Sequence, residues 1–243
     1  MKAGPTGILF GLDKELRRYL DRVARVEIHK VAGLEIIGGE LAGCNVLLTN
    51  AGLGKVNACI AATLLYDRFD CELIVFPGLA GGLAPVLEAG DVVVGTELIQ
   101  HDYGNWIDGE FQLTQPSPPP GLPKAGVGFL LPPSIERIAR YIAAEQPIKI
   151  HFGRVITGDV FVLCQATRKK LFCQHQALAL EMEGAALAQV AERFGRQWLV
   201  VRVLGDLAGA PHQLHARAVL RHLDRAADFV QAIIAAHNTG SVK

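Results

Sequence analysis

The chain has 243 residues, 50% hydrophobic and 20% charged, which is ample apolar matter for a large core. Its 24 basic residues balance 24 acidic ones, so no overall field points to nucleic acid or an anionic membrane surface; a small neutral ligand fits better. The N-terminal MKAGPTGILFGLDKEL turns charged after a short apolar run without a small-residue cleavage site, and no segment reaches the roughly 18 uninterrupted apolar residues of a membrane span, so the chain reads as cytoplasmic.

Taken in order, short apolar runs alternate with helix-like stretches, the pattern of strands joined through helices in a layered α/β domain. A strand is expected over 7–12, and the spacing of Leu16, Tyr19, Leu20 and Val23 predicts a helix after it. VEIHKVAGLEIIGGE, residues 26–40, has the look of a hairpin with Gly33 in its turn. Further strands are expected over 45–49, 73–76, 91–95, 154–157, 177–180 and 198–204, with helices around Leu187, Val190, Ala191 and Phe194 and over 219–236. FQLTQPSPPPGLPKAG, residues 111–126, is too rich in proline for a helix or central strand. Because the alternation resumes with the same character beyond it, a long active-site loop within one domain over 1–243 is preferred to a linker between two.

Ligands of open α/β sheets bind beyond the carboxyl ends of the strands, which gives weight to polar residues placed there. Asp13 and Glu15 follow the first strand, Asp159 follows RVIT, Glu181 and Glu183 close LALEMEG, and Asp206 closes VVRVLGD. Singly, each has a plain reading: Asp13 is placed to cap a helix, and Glu15 in a first turn suits the helix dipole. Together they are harder to dismiss. Arg202, inside the apolar WLVVRVL, needs an anionic partner, and these carboxylates are the candidates, whether for function or as a structural ion pair. TNAGLGKVNA and PGLAGGLAP match neither a dinucleotide fingerprint nor a P-loop and read as tight turns that let backbone approach a ligand. The five cysteines, 44, 59, 71, 164 and 173, are scattered and read as free buried thiols. His212 and His215 share a helical spacing, but nothing completes a ligand set around them, so no metal and no cofactor is expected.

The ordered set GLDKEL, NAGLGKVNA, GLAGGLAPVLEAGDVVV, TGDVF, LEMEGAA and VRVLGD resembles the nucleoside phosphorylase superfamily, most closely its 5'-methylthioadenosine/S-adenosylhomocysteine nucleosidases, over roughly residues 9–206. That resemblance implies a single three-layer domain, a twisted mixed β-sheet flanked by helices. It implies hydrolysis of the N-glycosidic bond of a 5'-substituted adenosine with release of adenine. Glu183 would hold the ribose hydroxyls, Met182 would pack on the sugar, and Glu181 would support the turn. Asp206 would protonate N7 of the leaving purine, Glu15 would activate water and Arg202 would help place it. Phe161 would stack on the base while the Val162 backbone reads its edge. The expected partners are a small purine nucleoside and a second copy of the chain closing the 5' pocket, with the apolar GLGKVNACIAATLL region as interface. Departures are visible too: Leu79 and Gly205 stand where the family has serines, and Ala216, in APHQLHARA, where it has an aromatic. The lack of phosphate donors in GLAGGLAP favours water over phosphate. A phosphorylase, a futalosine-type hydrolase and a non-catalytic nucleoside binder are the alternatives.

Overall fold

A computed structural model describes residues 4–114, 116, 128–207 and 216–242. The first half runs β1 (Thr6–Phe10), α1 (Asp13–Leu20), β2 (Ala24–Val31), β3 (Leu34–Leu41), β4 (Cys44–Asn50), α2 (Lys55–Asp67), β5 (Leu73–Gly82) and β6 (Val92–Gln100). The second continues with β7 (Gly104–Ile107), β8 (Glu110–Leu113), β9 (Phe129–Leu130), α3 (Pro133–Ala143), β10 (Ile150–Thr157), α4 (Gln165–His175), β11 (Ala179–Glu181), α5 (Gly184–Phe194), β12 (Gln197–Leu207) and α6 (Ala216–Thr239). Among the described residues, no helix is long and apolar enough to cross a membrane.

One mixed sheet has the order β11-β10-β6-β12-β5-β1-β4-β3-β2, with β9 beside β6. Its central strands are continuous apolar runs, as expected where both faces are covered. Helices flank it in two groups: α2 packs on α5, while α1 and α3 pack on α6. The far end of β5 also pairs antiparallel with β11, Gly81 opposite Leu180 and Gly82 opposite Ala179, so β5, β12, β6, β10 and β11 close into a ring. That closure brings the carboxyl ends of β5, β11 and β12 together.

The 26–40 hairpin is present, and its turn has Ala32 at φ 50 and Gly33 at φ 79. The same two-residue turn recurs at Ala42–Gly43 and Asp108–Gly109, with both central residues at positive φ, the type that matches the strand twist.

Four expectations need correction. Asp13 is not the cap of α1: Leu12 occupies that position in extended conformation (φ −129°, ψ 142°), and Asp13, the first helical residue, pairs with Arg17 one turn on. PGLAGG is not a turn but the second half of β5, because β12 supplies a ladder partner along all of it, an override of the local glycine signal by a neighbour. Phe111–Leu113, assigned to the proline-rich loop, lies in β8, while 115 and 117–126 fall outside the described residues, as do His212 and His215. Cys164 and Cys173 are exposed rather than buried, although all five thiols are free.

Candidate active site

A cavity of about 720 Å³ opens where the strand ends of the ring meet the start of α1. At its floor is a buried ion pair. β11 delivers Glu181 and β12 delivers Arg202, each side chain only 1% exposed, and Arg202 Nη2 donates to Glu181 Oε2. The guanidinium carbon also lies 4.4 Å from the centre of the Phe76 ring. Glu181 is saturated with donors: Thr157 Oγ1 donates to Oε1, and the Glu183 and Gly184 N–H groups donate to Oε2 at 3.0 and 2.7 Å. Thr157 in turn accepts the Ala185 N–H at 2.9 Å. A charge this deep is costly unless paired and hydrogen-bonded; Glu181 meets both conditions, whereas Arg202 is paired but leaves its buried Nε without a partner.

The Glu181 bonds fix the turn from β11 into α5, and this turn presents Glu183. At the N-cap position of α5 its carboxylate caps nothing; it faces the cavity and accepts the Gly54 N–H at 2.9 Å, with Arg202 Nη2 3.6 Å away. Burial, then the neighbouring Glu181 charge, raise the Glu183 carboxyl to about 7 against the pull of Arg202. A carboxyl poised there changes charge near neutrality.

Glu15 closes the same cluster from α1. Its Oε2 accepts the Gly11 and Leu12 N–H groups at 3.2 and 3.0 Å, and Oε1 accepts the Leu79 N–H at 2.9 Å. Burial nevertheless raises its proton affinity above the ordinary carboxylate range, with Arg202 and those three N–H groups opposing. Gly78 makes the arrangement possible. A Cβ there would fall 2.5 Å from Arg202 Nη1 and 3.1 Å from Glu15 Oε1, so only glycine lets both side chains pass β5.

Asp206 occupies a different wall. Along β12, Leu204 pairs with Ala80 and Asp206 with Gly81, leaving Gly205 as an unpaired bulge residue that re-aims the aspartate. Burial raises the Asp206 carboxyl, and its opposing charge is Arg168, not one of the glutamates; Arg168 itself is held by the Leu83 and Ala84 carbonyls. GLAGGLAP itself carries no basic residue; α4 supplies Arg168 beside it. Phe161, 72% exposed, and Val162 come from the loop after β10, and Met182 from the β11–α5 turn.

All seven residues assigned from sequence, Glu15, Phe161, Val162, Met182, Glu183, Arg202 and Asp206, line this one cavity. Asp13 and Asp159 do not. Thr157 and Arg168 are further members of the site: a threonine closing an apolar run is a faint signal and nothing local marks Arg168, while Gly54 and Gly78 lie in the two glycine-rich segments, whose individual contacts the sequence does not give. Among the described residues, no group of three potential metal ligands is present.

Buried glutamates at the ends of a ring-closed mixed sheet thus share one cavity with a half-buried aspartate. The chain belongs to the phosphorylase superfamily, whose family model matches residues 5–237. Within it, the chain is 36% identical over 220 residues to a 5'-methylthioadenosine/S-adenosylhomocysteine nucleosidase of Mycobacterium bovis, covering 84% of this chain and 86% of that protein. The same fold is seen in the nucleosidase of that name from Campylobacter jejuni (TM-score 0.84, 24% identity, 95% and 98% of the two chains). It is seen again in futalosine hydrolase of Helicobacter pylori (TM-score 0.81, 24% identity, 96% and 98%). At that identity the two structures speak for the fold alone.

Proposed function

We propose that this chain, acting as one domain, is a purine nucleosidase that hydrolyses the N-glycosidic bond of a 5'-substituted adenosine, such as methylthioadenosine or S-adenosylhomocysteine, and releases adenine. The observation that carries the reading is the division of carboxyl groups in one cavity: Glu15 and Glu183 in a cluster around Arg202, Asp206 apart from them. Glycosidic cleavage passes through an oxocarbenium-like state and needs a protonated leaving group on one side and a nucleophile on the other.

In this reading Glu183 accepts hydrogen bonds from the ribose hydroxyls, and its charge stabilises the cationic sugar. Glu15 takes a proton from water as the water oxygen bonds to C1'. The C1'–N9 bond breaks, its electron pair passes into the purine, and Asp206 delivers a proton to N7. A carboxyl whose proton affinity is raised by burial suits both the acid and the base near neutral pH. Phe161 stacks on the base, the Val162 backbone meets its edge and Met182 packs on the sugar. Arg202 places the water indirectly, since its Nη2 is committed to Glu181.

Electrostatics favours water over phosphate. A phosphate dianion beside Glu15 would meet two further glutamates; of the cations among the described cavity-lining residues, Arg202 is already paired with them and Lys14 is exposed to solvent. The Leu79 N–H, a potential anion donor, is used by Glu15. An exposed apolar surface supports a homodimer: Leu53, Val56 and Ile60 are 46, 70 and 45% exposed around the start of α2, and Leu53 also lines the cavity, so a second copy seated there would close it. A cytoplasmic setting fits this substrate class. Adenine release from methylthioadenosine, S-adenosylhomocysteine, adenosine and a futalosine-type nucleoside, followed by chromatography, tests the reading; no purine release from any of them would reject it.

A further inference from the structure

Asp102, in the turn after β6, joins two segments that are far apart in sequence. Its Oδ1 accepts from Lys55 Nζ at 2.7 Å and its Oδ2 from the Asp159 N–H at 2.9 Å. The Asp159 carboxylate closes the set by accepting the Lys55 N–H at 2.9 Å, as an external acidic partner for the first turn of α2. Both ends of this triangle lead into the cavity. Lys55 follows Gly54, whose N–H holds Glu183 Oε1. Asp159 opens the segment that carries Val160, Phe161 and Val162 along the cavity wall.

Besides this triangle, the segment is anchored at its start by the Gly158 N–H on the Glu181 carbonyl at 3.0 Å and in its middle by Val162, which packs on buried apolar residues. Residues 158–164 have no regular secondary structure, and Val160, Phe161 and Leu163 are 48, 72 and 70% exposed, so packing does not fix their position. The charged side chains at the hub are better sheltered, Lys55 at 19% and Asp102 at 25% exposed, which limits screening. A cation held by a sheltered carboxylate, with backbone donors from both segments fixed in the same cycle, has the form of a joint between two walls of a site.

We propose that Asp102 is a positioning residue for the nucleosidase reaction: acting through Lys55 and Asp159, it keeps the purine-facing segment and the Gly54–Glu183 contact in register, so that base and ribose are gripped together. The inference rests on the nucleosidase reading. Neither Asp102 nor Lys55 touches the reacting atoms in it, so loss of the joint weakens binding more than it slows the bound complex.

The test is steady-state adenine release from methylthioadenosine by the full chain and by Asp102→Asn, Lys55→Met, Lys55→Arg and the double variant Asp102→Asn/Lys55→Met, with thermal melts of each. Asp102→Asn and Lys55→Met should raise KM about tenfold while kcat falls less than about threefold. The double variant should be no worse than either single one, and Lys55→Arg, which keeps the cation, should stay within about threefold of wild-type KM. Unchanged KM in Asp102→Asn would overturn the proposal, and so would a Lys55→Arg defect equal to that of Lys55→Met. If Asp102→Asn does not fold, the Lys55 pair decides by the same criterion. A wild-type chain that releases no adenine would sink the nucleosidase reading instead. Adenosine binding by calorimetry would then test the joint: tenfold weaker in Lys55→Met supports it, and equal affinity overturns it.

Discussion

Replacing Glu181 by glutamine removes the charge from a pair in which both side chains are 1% exposed, and leaves Arg202 in the interior. Breaking a buried pair from one side costs about 3–5 kcal/mol, because the remaining ion keeps its desolvation penalty. Two structural features put this site at the low end. Glu183 lies 3.6 Å from the same Nη2 and can take over part of the pairing, and removing the Glu181 charge eases ionisation of Glu183, whose proton affinity it raises. The glutamine oxygen can still accept from the Glu183 and Gly184 N–H groups, or from Thr157, but not from all of them and Arg202 together. The net loss should be about 3 kcal/mol, which for a chain of this size lowers the melting temperature by about 6–12 °C. Arg202→Met should cost a similar amount, and the double variant Glu181→Gln/Arg202→Met should fall short of the sum by about 2 kcal/mol or more. Scanning calorimetry on the four proteins provides the comparison. A Glu181→Gln shift under about 2 °C, or strict additivity, would refute the claim that this pair anchors the floor of the site.

Asp206→Asn keeps shape and a hydrogen bond but carries no proton to deliver, so kcat should drop about 10²- to 10⁴-fold with substrate still bound; near-normal kcat would remove Asp206 as the acid. Glu183→Gln loses the charge that both anchors the diol and stabilises the cation, so KM and kcat should both worsen. With the Glu183 carboxyl raised from 4.5 to about 7, the folded state holds a proton that the unfolded chain gives up between those values. Its contribution to stability is therefore full below the lower value and is lost as pH rises through the upper. The melting-temperature difference between wild type and Glu183→Gln should change in that window, and identical pH profiles would count against it. Light scattering at micromolar concentration should give the mass of two chains, and a monodisperse monomer would reject the dimer.

The strand and helix alternation was legible because the central strands are buried on both faces and read as plain apolar runs. Gly33 marks its hairpin, and the equivalent turns at Gly43 and Gly109 carry the same signal. α4 was silent since Leu171 is its one fully buried side chain, which leaves almost no periodic stripe to read. α3 does carry a stripe, Ile135, Ile138 and Ala139, just beyond the proline-rich segment. At the site, charges in apolar company were visible from sequence because their cost is local: Glu181, Glu183 and Arg202 stand out for that reason. Their partners were not. That Gly54 would donate to Glu183, that Gly78 would clear a path for Arg202 and Glu15, or that Arg168 would lie near Asp206 depends on how distant segments pack. Even β5 misled, since the glycines that suggested a turn are there to admit side chains and β11.

The central claim is that water, placed by a site built of carboxylates, is the nucleophile. It is tested most directly by incubating the full chain with methylthioadenosine in phosphate-free buffer and in saturating phosphate, and assaying both products. The account predicts equal rates of adenine release in the two buffers, with a free reducing sugar as the second product. Release that requires phosphate and yields the sugar 1-phosphate would contradict it.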